Sequence, residues 1–443
     1  MNVLVYARPW NKEQFCDLAS KVWPDHRLVV SSEHPSVDES DLYRQFYENM
    51  RVSIPQKQTN LTVEQIDDVI DRCRLLRAIN RQLALKLLHA MELAVESVLE
   101  KTVAKYMLSI TVDSYVLHLF SLLCKKRNIV FIGLIPTFVN GYFRVTSVGE
   151  RVFSRTVSDE ECETILNQLQ DNSYKPSFLA SNKSAQKAKS IKLWARNIPK
   201  PLWFVCKRLF SGDVYNYHYF STQIVSSIYW SFLPKKYEGL EFLSSGGSQR
   251  NPSSKPMVFI PLQMSPEATV DYWSLDTSWC EYETKVLSLI ESLSVNYNVV
   301  VKEHPNIVGF RTKSFYRSLT SLRNNEKCLL LDVSVNSNAV LDCCDAVVLC
   351  TGSVGFEAAI RGVPVYSDAA PFYMPSNMLH PIKNLLEGRL EKRQELTKDK
   401  KYQLMRYLLE GIISGSFVND GSWNRDMHNQ DIVAKNIASH LCI

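Results

Sequence analysis

Val299-Val-Val-Lys-Glu-His-Pro-Asn-Ile307 and Val348-Leu-Cys-Thr-Gly-Ser-Val-Gly-Phe-Glu357 decide how this chain folds. Each opens as an apolar run, the mark of a buried strand, and ends in polar residues. The second passes directly into a helical pattern. In a parallel α/β sheet, ligands sit outside the carboxyl ends of the strands. The pattern therefore predicts that His304 and the Thr351-Gly352-Ser353 turn face one crevice. There the free N–H groups at the start of a helix make an anion site. A histidine donor beside such a turn suits a phosphate, and in particular the phosphate of a nucleotide.

Outward from these segments the alternation continues. Strands are expected at 257–262, 298–302, 328–333, 346–350 and 363–366, with helices at 281–293, 312–322, 337–343 and 354–361. Gly362-Val-Pro364 reads as a helix stop, with glycine just past the last turn. Residues 396–443 read as closing helices. Towards the amino end, Gly246-Gly-Ser-Gln-Arg-Asn-Pro-Ser-Ser254 has the composition of a flexible linker, and 181–196 is polar and basic. Before that break the same alternation appears: strands at 3–7, 27–31, 106–112 and 129–134, helices at 11–22 and 113–125, and one long helical pattern from Val63 to Val103. The expected architecture is α/β, with two doubly wound Rossmann-like domains facing across a cleft. The expected boundaries are 1–173 for an N-terminal domain, 174–254 for an insertion and linker, 255–424 for a C-terminal nucleotide-binding domain, and 425–443 for a closing helix.

Composition excludes several alternatives. The chain has 443 residues, 45% hydrophobic and 22% charged, which describes two ordinary globular cores. A net charge of +5 gives no case for nucleic acid, and no aromatic-interleaved basic motif of an RNA or DNA binder is present. The start, Met1-Asn-Val-Leu-Val-Tyr-Ala-Arg-Pro9, reads as a strand rather than a signal peptide. No stretch reaches the roughly 18 apolar residues of a membrane span. The 11 cysteines show no C-x-x-C and no metal spacing, so reduced, mostly buried thiols in a cytoplasmic protein are expected.

Two doubly wound domains with nucleotide-type motifs in the second give the outline of a GT-B glycosyltransferase. Pro261-Leu-Gln-x-x-Pro-Glu267, Lys302-Glu-His-Pro305, Thr351-Gly-Ser-x-Gly-x-Glu-Ala358 and Gly362-x-Pro364 resemble the capsule and lipopolysaccharide glycosyltransferases of bacteria. The relatives of Kdo and sialic acid transferases among them use CMP-activated sugars. The resemblance covers residues 256–375 and is weak over the N-terminal half. It implies a nucleotide-sugar donor held by the His-Pro pair and the Ser/Thr turn. The acceptor would be a glycan or lipid-linked glycan, and no cofactor is implied.

Residue by residue, His304 would donate to the donor phosphate, either as a neutral imidazole or protonated. Pro305 fixes its turn. Thr351 and Ser353, with the N–H groups from Gly352 to Gly355, would meet phosphate oxygens. Either hydroxyl is equally at home as a helix N-cap. Glu357 would take the ribose hydroxyls or complement the helix dipole. Gln263 and Glu267, after the first strand of the second domain, contact the donor or close the hinge. Lys302 and Arg311 are counter-charges for phosphate or solvated side chains.

Transfer to a hydroxyl needs a base. Asp113, at a strand end, is the first candidate, with an N-cap as its alternative role. The acidic-acidic-Gly motif of sialyltransferases is absent, and Asp38-Glu39 is the nearest approach, so both join Glu267 as reserve candidates. Arg8, Asn140 and Tyr142 also follow strand ends and are candidates for the acceptor. CMP leaves as a monophosphate and no Asp-x-Asp occurs, which agrees with metal independence. The basic and aromatic stretch 187–210 suits either a membrane interface, at the inner face of the plasma membrane, or packing on its own domain. Two rivals remain: a UDP-sugar 2-epimerase, and a non-catalytic subunit of a glycan-assembly complex.

Overall fold

The structure, a computed structural model, describes residues 2–52, 59–171, 173–177, 255–308, 311–418 and 426–441, with single helical positions at 191, 195, 206 and 210. The Gly246–Ser254 linker lies outside the described residues, as do nearly all of 187–210. The chain divides into two units. Among the described segments, the first holds 2–156 and 409–441, and the second holds 157–177 and 255–408.

The first unit is built on a six-stranded sheet of order β12-β5-β4-β3-β1-β2. Its strands are β1 Asn2–Tyr6, β2 Arg27–Ser31, β3 Ala104–Ile110, β4 Val130–Pro136, β5 Tyr142–Val145 and β12 Ile413–Ser414. The first four run parallel, β5 is antiparallel to β4, and β12, antiparallel to β5, runs in the direction of the first four. Val3, Leu4 and Val5 are all fully buried, as expected of a central parallel strand covered on both faces. Full burial of each such side chain stabilises by roughly 1.5–3 kcal/mol. The chain starts in the middle of this sheet, adds β2 on one side, then crosses to place β3 on the other. The strand order therefore reverses between β1 and β3.

Helices α1 Lys12–Val22 and α5 Tyr115–Lys126 fall within a residue or two of expectation. The long pattern from Val63 to Val103 does not form one helix. It is split into α3 Val63–Arg72 and α4 Arg81–Thr102. The break has a local cause: the Asn80 side chain accepts from Leu83 N and caps a new helix, while Thr62 and Gln65 form a capping box at the start of α3. A helix α2, Leu42–Arg51, precedes them and was not expected. The closing region is not purely helical either. Between helices Lys398–Glu410 and Met427–His440, β12 joins the first unit's sheet beside β5.

The second unit carries a six-stranded, wholly parallel sheet of order β11-β10-β9-β6-β7-β8. Its strands are β6 Met257–Pro261, β7 Asn298–Lys302, β8 Leu329–Leu331, β9 Ala346–Val348, β10 Val365–Tyr366 and β11 Leu379–His380. The helices Tyr282–Leu293, Lys313–Asn324, Ser337–Cys343 and Val354–Ile360 alternate with them, close to expectation. Gly362 closes the last of these with φ +70, and a Cβ there would lie 1.8 Å from Gln394 O. Only glycine satisfies both demands. The strand order reverses between β6 and β9.

Every described cysteine is a free thiol. Among the described residues no helix is long and apolar enough to cross a membrane, and no cluster of three metal-ligating side chains occurs.

Candidate functional site

In each sheet, the carboxyl edge at the reversal of strand order is where a doubly wound protein leaves room for a ligand. In the second unit this edge carries the loops after β6, β7 and β9. The His304 loop and the Thr351–Ser353 turn follow β7 and β9, both of which flank β6 in parallel. At one strand spacing each, they stand about 10 Å apart across β6.

Gln263 ties this edge together. Its Oε1 accepts from Cys350 N at 2.8 Å and Thr351 N at 2.9 Å, and its Nε2 donates to Thr351 Oγ1 at 3.3 Å. Its backbone is held as firmly, by Tyr282 Oη accepting from Gln263 N and by Arg311 Nη2 donating to Gln263 O. Thr351 passes its own proton to Thr269 O at 3.2 Å. Gln263 and Thr351 are thus bound to each other and to the protein, so both build the wall of the site. The sequence left Gln263 between the donor and the hinge, and Thr351 between phosphate and a helix cap. Thr269 Oγ1 in turn donates to Glu267 Oε2 at 3.0 Å, which ties the Glu267 loop to the same wall.

Ser353 behaves differently. It is the residue before the helix Val354–Ile360, yet its side chain makes no capping bond. The alternative of an ordinary N-cap is therefore ruled out by geometry, and a half-buried hydroxyl is left at the edge. Gly352 lies against Gln263, where a Cβ would meet that side chain at 3.1 Å. Gly355 is needed for packing, since a Cβ there would meet Tyr373 Oη at 2.5 Å and Leu349 Cδ2 at 2.9 Å.

His304 sits in a turn closed by Ile307 N donating to His304 O, with Pro305 in the second position. Its Nδ1 accepts from Asn306 N at 3.2 Å. That bond assigns the ring proton to Nε2 and makes His304 a neutral donor. Behind it, Glu303 accepts from its own neighbour His304 N and from Arg311. Arg311 is fully buried, clasped by Glu303 and set over the rings of Tyr282 and Phe315. It is neither a phosphate counter-charge nor a solvated side chain; it anchors the loop.

Lys302 Nζ donates to Ser337 Oγ at 3.3 Å. Burial pushes its ammonium down, and nearby Glu357 opposes that shift. Burial pushes the Glu357 carboxyl up to about 7, with Arg361 and Lys302 opposing. The two groups form a partly covered pair at the same edge.

In the first unit the corresponding edge holds a buried charge cluster. Arg8, after β1, donates from Nη1 and Nη2 to Asp113, after β3, at 2.7 and 3.0 Å, and from Nε to Glu33, after β2, at 2.7 Å. Tyr6 donates its hydroxyl to Glu33. Burial raises the Asp113 carboxyl above its usual range and Glu33 adds to this, while Arg8 opposes it. Asp113 is not the cap of α5, because Ser114 holds that position and accepts from Leu117 N. Arg8 is 2% exposed and committed to two carboxylates, so it orients Asp113 and does not reach for an acceptor itself. Glu33 is a member of this cluster that sequence reasoning missed, although it too follows a strand end.

The reserve candidates are used elsewhere. Asp38 accepts from Ser32 N, Ser40 N, Ser40 Oγ and Tyr43 N, a structural clamp at the start of α2. Glu39 is exposed and pairs with Lys12. Asn140 lies with Gly141, φ +80, in the hairpin between β4 and β5, and Tyr142 opens β5 under the Arg155 guanidinium. Neither belongs to the Arg8–Asp113 cluster.

Fold and edges together define a two-unit α/β protein with a reversal of strand order in each sheet. Residues 215–405 match a family model described as "Capsule polysaccharide biosynthesis protein". This stretch contains His304, Gln263 and Ser353, and it is similar to capsule polysaccharide biosynthesis proteins. A curated relative, the capsule polysaccharide modification protein LipA of Neisseria meningitidis serogroup B, is 28% identical over 142 residues, 31% of this chain and 19% of LipA. The match thus spans about a fifth of that relative's length. Among solved structures, the Thermosulfurimonas dismutans KpsC beta Kdo 2,7 transferase is similar at 14% identity and TM-score 0.38, over 97% of this chain and 98% of that one. The UDP-GlcNAc 2-epimerase of Methanocaldococcus jannaschii is similar at 12% identity and TM-score 0.26, over 93% and 99%.

Proposed function

We propose that the protein is a glycosyltransferase of bacterial surface-polysaccharide synthesis. It would move a CMP-activated sugar of the Kdo or nonulosonic acid type onto a growing capsule or lipopolysaccharide glycan. One observation carries this: the neutral donor His304 and the uncapped hydroxyl of Ser353 stand at the carboxyl edge where strand order reverses. That edge lies within the stretch that matches the capsule family.

In this mechanism His304 Nε2–H, Ser353 Oγ–H and the first N–H groups after Gly352 take the donor phosphate, and Lys302 supplies positive charge behind them. Glu357 accepts the ribose hydroxyls. Gln263, Thr351, Gly355 and Pro305 hold these groups in place. The leaving group is a nucleoside monophosphate, whose developing charge is smaller than a diphosphate's, so protein donors suffice and no metal is required. Asp113, oriented by Arg8, takes the proton of the acceptor hydroxyl as it attacks. The first unit, 2–156 with 409–441, would be the acceptor-side domain of a GT-B enzyme, and the second, 157–177 with 255–408, the donor domain; the expected boundaries at 173 and 424 shift accordingly, and the closing helix falls to the first unit. The enzyme works on the cytoplasmic side of the membrane, which 187–210 touches.

The test is release of CMP from CMP-Kdo or CMP-sialic acid above the spontaneous rate, with the Asp113→Asn variant as control. Release from the wild type only, and none of UDP from UDP-GlcNAc, is the expected result. Conversion of UDP-GlcNAc to its 2-epimer without an acceptor would replace this function with the epimerase.

A further inference from the structure

Beside the Arg8–Asp113 cluster stands an aromatic side chain that the mechanism above leaves without a role. Trp10 is 55% exposed. Exposure of one large apolar residue means little by itself. Its mounting gives it meaning. Arg8-Pro9-Trp10-Asn11 is a tight turn in which Asn11 N donates to Arg8 O at 3.0 Å and Arg8 N donates to Asn11 Oδ1 at 2.7 Å. Pro9 fixes the second position of that turn. Asn11 is 3% exposed and leads into α1, so the turn is anchored at both ends. The backbone that carries the indole is thus rigidly supported, which lowers the ordering cost of binding.

The ring also has a defined electrostatic setting. Arg8 Cζ lies 5.5 Å from its centre, close enough for a cation–π contact. The same guanidinium grips Asp113 Oδ2 at 2.7 Å. With ordinary C–N bond lengths, this puts the Asp113 carboxylate no more than about 10 Å from the indole centre. The indole and the carboxylate are thus joined through one guanidinium, at a separation that a single bound hexopyranose can span.

We infer that Trp10 is the platform on which the acceptor's terminal sugar stacks, presenting the axial C–H face of a pyranose to the indole and a hydroxyl to Asp113. The inference rests on the glycosyltransferase function proposed above and names its acceptor class: a glycan ending in a pyranose with one apolar face. Aromatic stacking supplies affinity, and the neighbouring carboxylate selects which hydroxyl is used.

The experiment is saturation-transfer NMR of the full chain with methyl β-galactopyranoside, methyl N-acetyl-β-glucosaminide and methyl α-mannopyranoside, on wild type, Trp10→Phe and Trp10→Ala. The CMP-induced rise in melting temperature is measured on each sample. At least one glycoside should bind the wild type, bind Trp10→Phe nearly as well, and bind Trp10→Ala roughly three- to tenfold more weakly. The CMP response should be equal in all three. Equal glycoside binding by wild type and Trp10→Ala overturns the inference, as does no glycoside binding by a wild type that responds to CMP. A wild type that responds to no nucleotide overturns the underlying function instead.

Discussion

Arg8 and Asp113 form a two-pronged ion pair, Nη1 to Oδ2 at 2.7 Å and Nη2 to Oδ1 at 3.0 Å, across the point where the first sheet reverses its strand order. The two residues are 105 positions apart in the chain, and only the fold joins them. Arg8 Nε also holds Glu33, so one cation serves two largely buried carboxylates.

This sharing makes the two partners respond differently to substitution. Asp113→Asn keeps a neutral acceptor beside Arg8, and Arg8 keeps Glu33. The variant should fold and lose about 10²- to 10⁴-fold in transfer rate, the usual contribution of a general base. Arg8→Ala strips the counter-charge from two carboxylates and should cost about 3–5 kcal/mol in stability. Urea unfolding and a transfer assay on both variants separate the roles.

Gln263 gives a second contrast. Gln263→Ala leaves Cys350 N and Thr351 N without their acceptor inside the protein and should cost about 2–4 kcal/mol by denaturant unfolding. Gln263→Glu keeps an oxygen for both N–H groups and should be the milder change. If Gln263→Ala is as stable as wild type, the amide is not the staple of this edge.

Ser353 offers a test of opposite kind. A serine that caps its helix costs about 1 kcal/mol when replaced by alanine. Ser353 makes no such bond, so Ser353→Ala should shift stability by less than about 0.5 kcal/mol. A loss near 1 kcal/mol in thermal or urea unfolding would mean that the hydroxyl serves the helix after all.

Glu357 predicts a pH dependence. Its carboxyl, ordinarily near 4.5, is pushed up to about 7 by burial, so the folded state holds the proton more tightly than the unfolded chain. The stability this gives is complete below about pH 4.5 and is lost as pH rises through 7. Glu357→Gln should therefore match wild type at pH 4.5 and exceed it at pH 8, by no more than about 3 kcal/mol given its partial exposure. The same variant should bind nucleotide less well if Glu357 takes the ribose hydroxyls. Melting curves at the two pH values check the first part: a variant less stable than wild type at pH 8 refutes the burial effect.

Much of the second unit was legible because parallel strands and their helices announce themselves locally. Apolar runs such as Val299–Val301 and helix stops such as Gly362 depend on neighbours in sequence. What failed was long range or conditional. The pattern from Val63 to Val103 kept helical spacing through a break that Asn80, a capping residue, signalled. The Asn140-Gly141 pair marked a hairpin and was passed over. The strand Ile413–Ser414 forms only because β5, far back in the chain, offers an edge. At the site, sequence placed the loops at the carboxyl edge of the second sheet but did not show which polar groups the protein uses for itself. Thr351 and Gln263 bond to each other, Arg311 is buried on Glu303, and Ser353, for which a cap was the alternative role, does not cap. Hydroxyl and amide chemistry allows all of these roles, and only packing chooses among them.

The donor-site assignment is tested most directly by calorimetric titration of CMP into wild type, His304→Ala and Ser353→Ala. Two charge-assisted hydrogen bonds to one phosphate predict measurable binding by wild type and about 10- to 100-fold weaker binding by each variant, with folding intact. Unchanged affinity in both variants, or no CMP binding by the wild type, would contradict it.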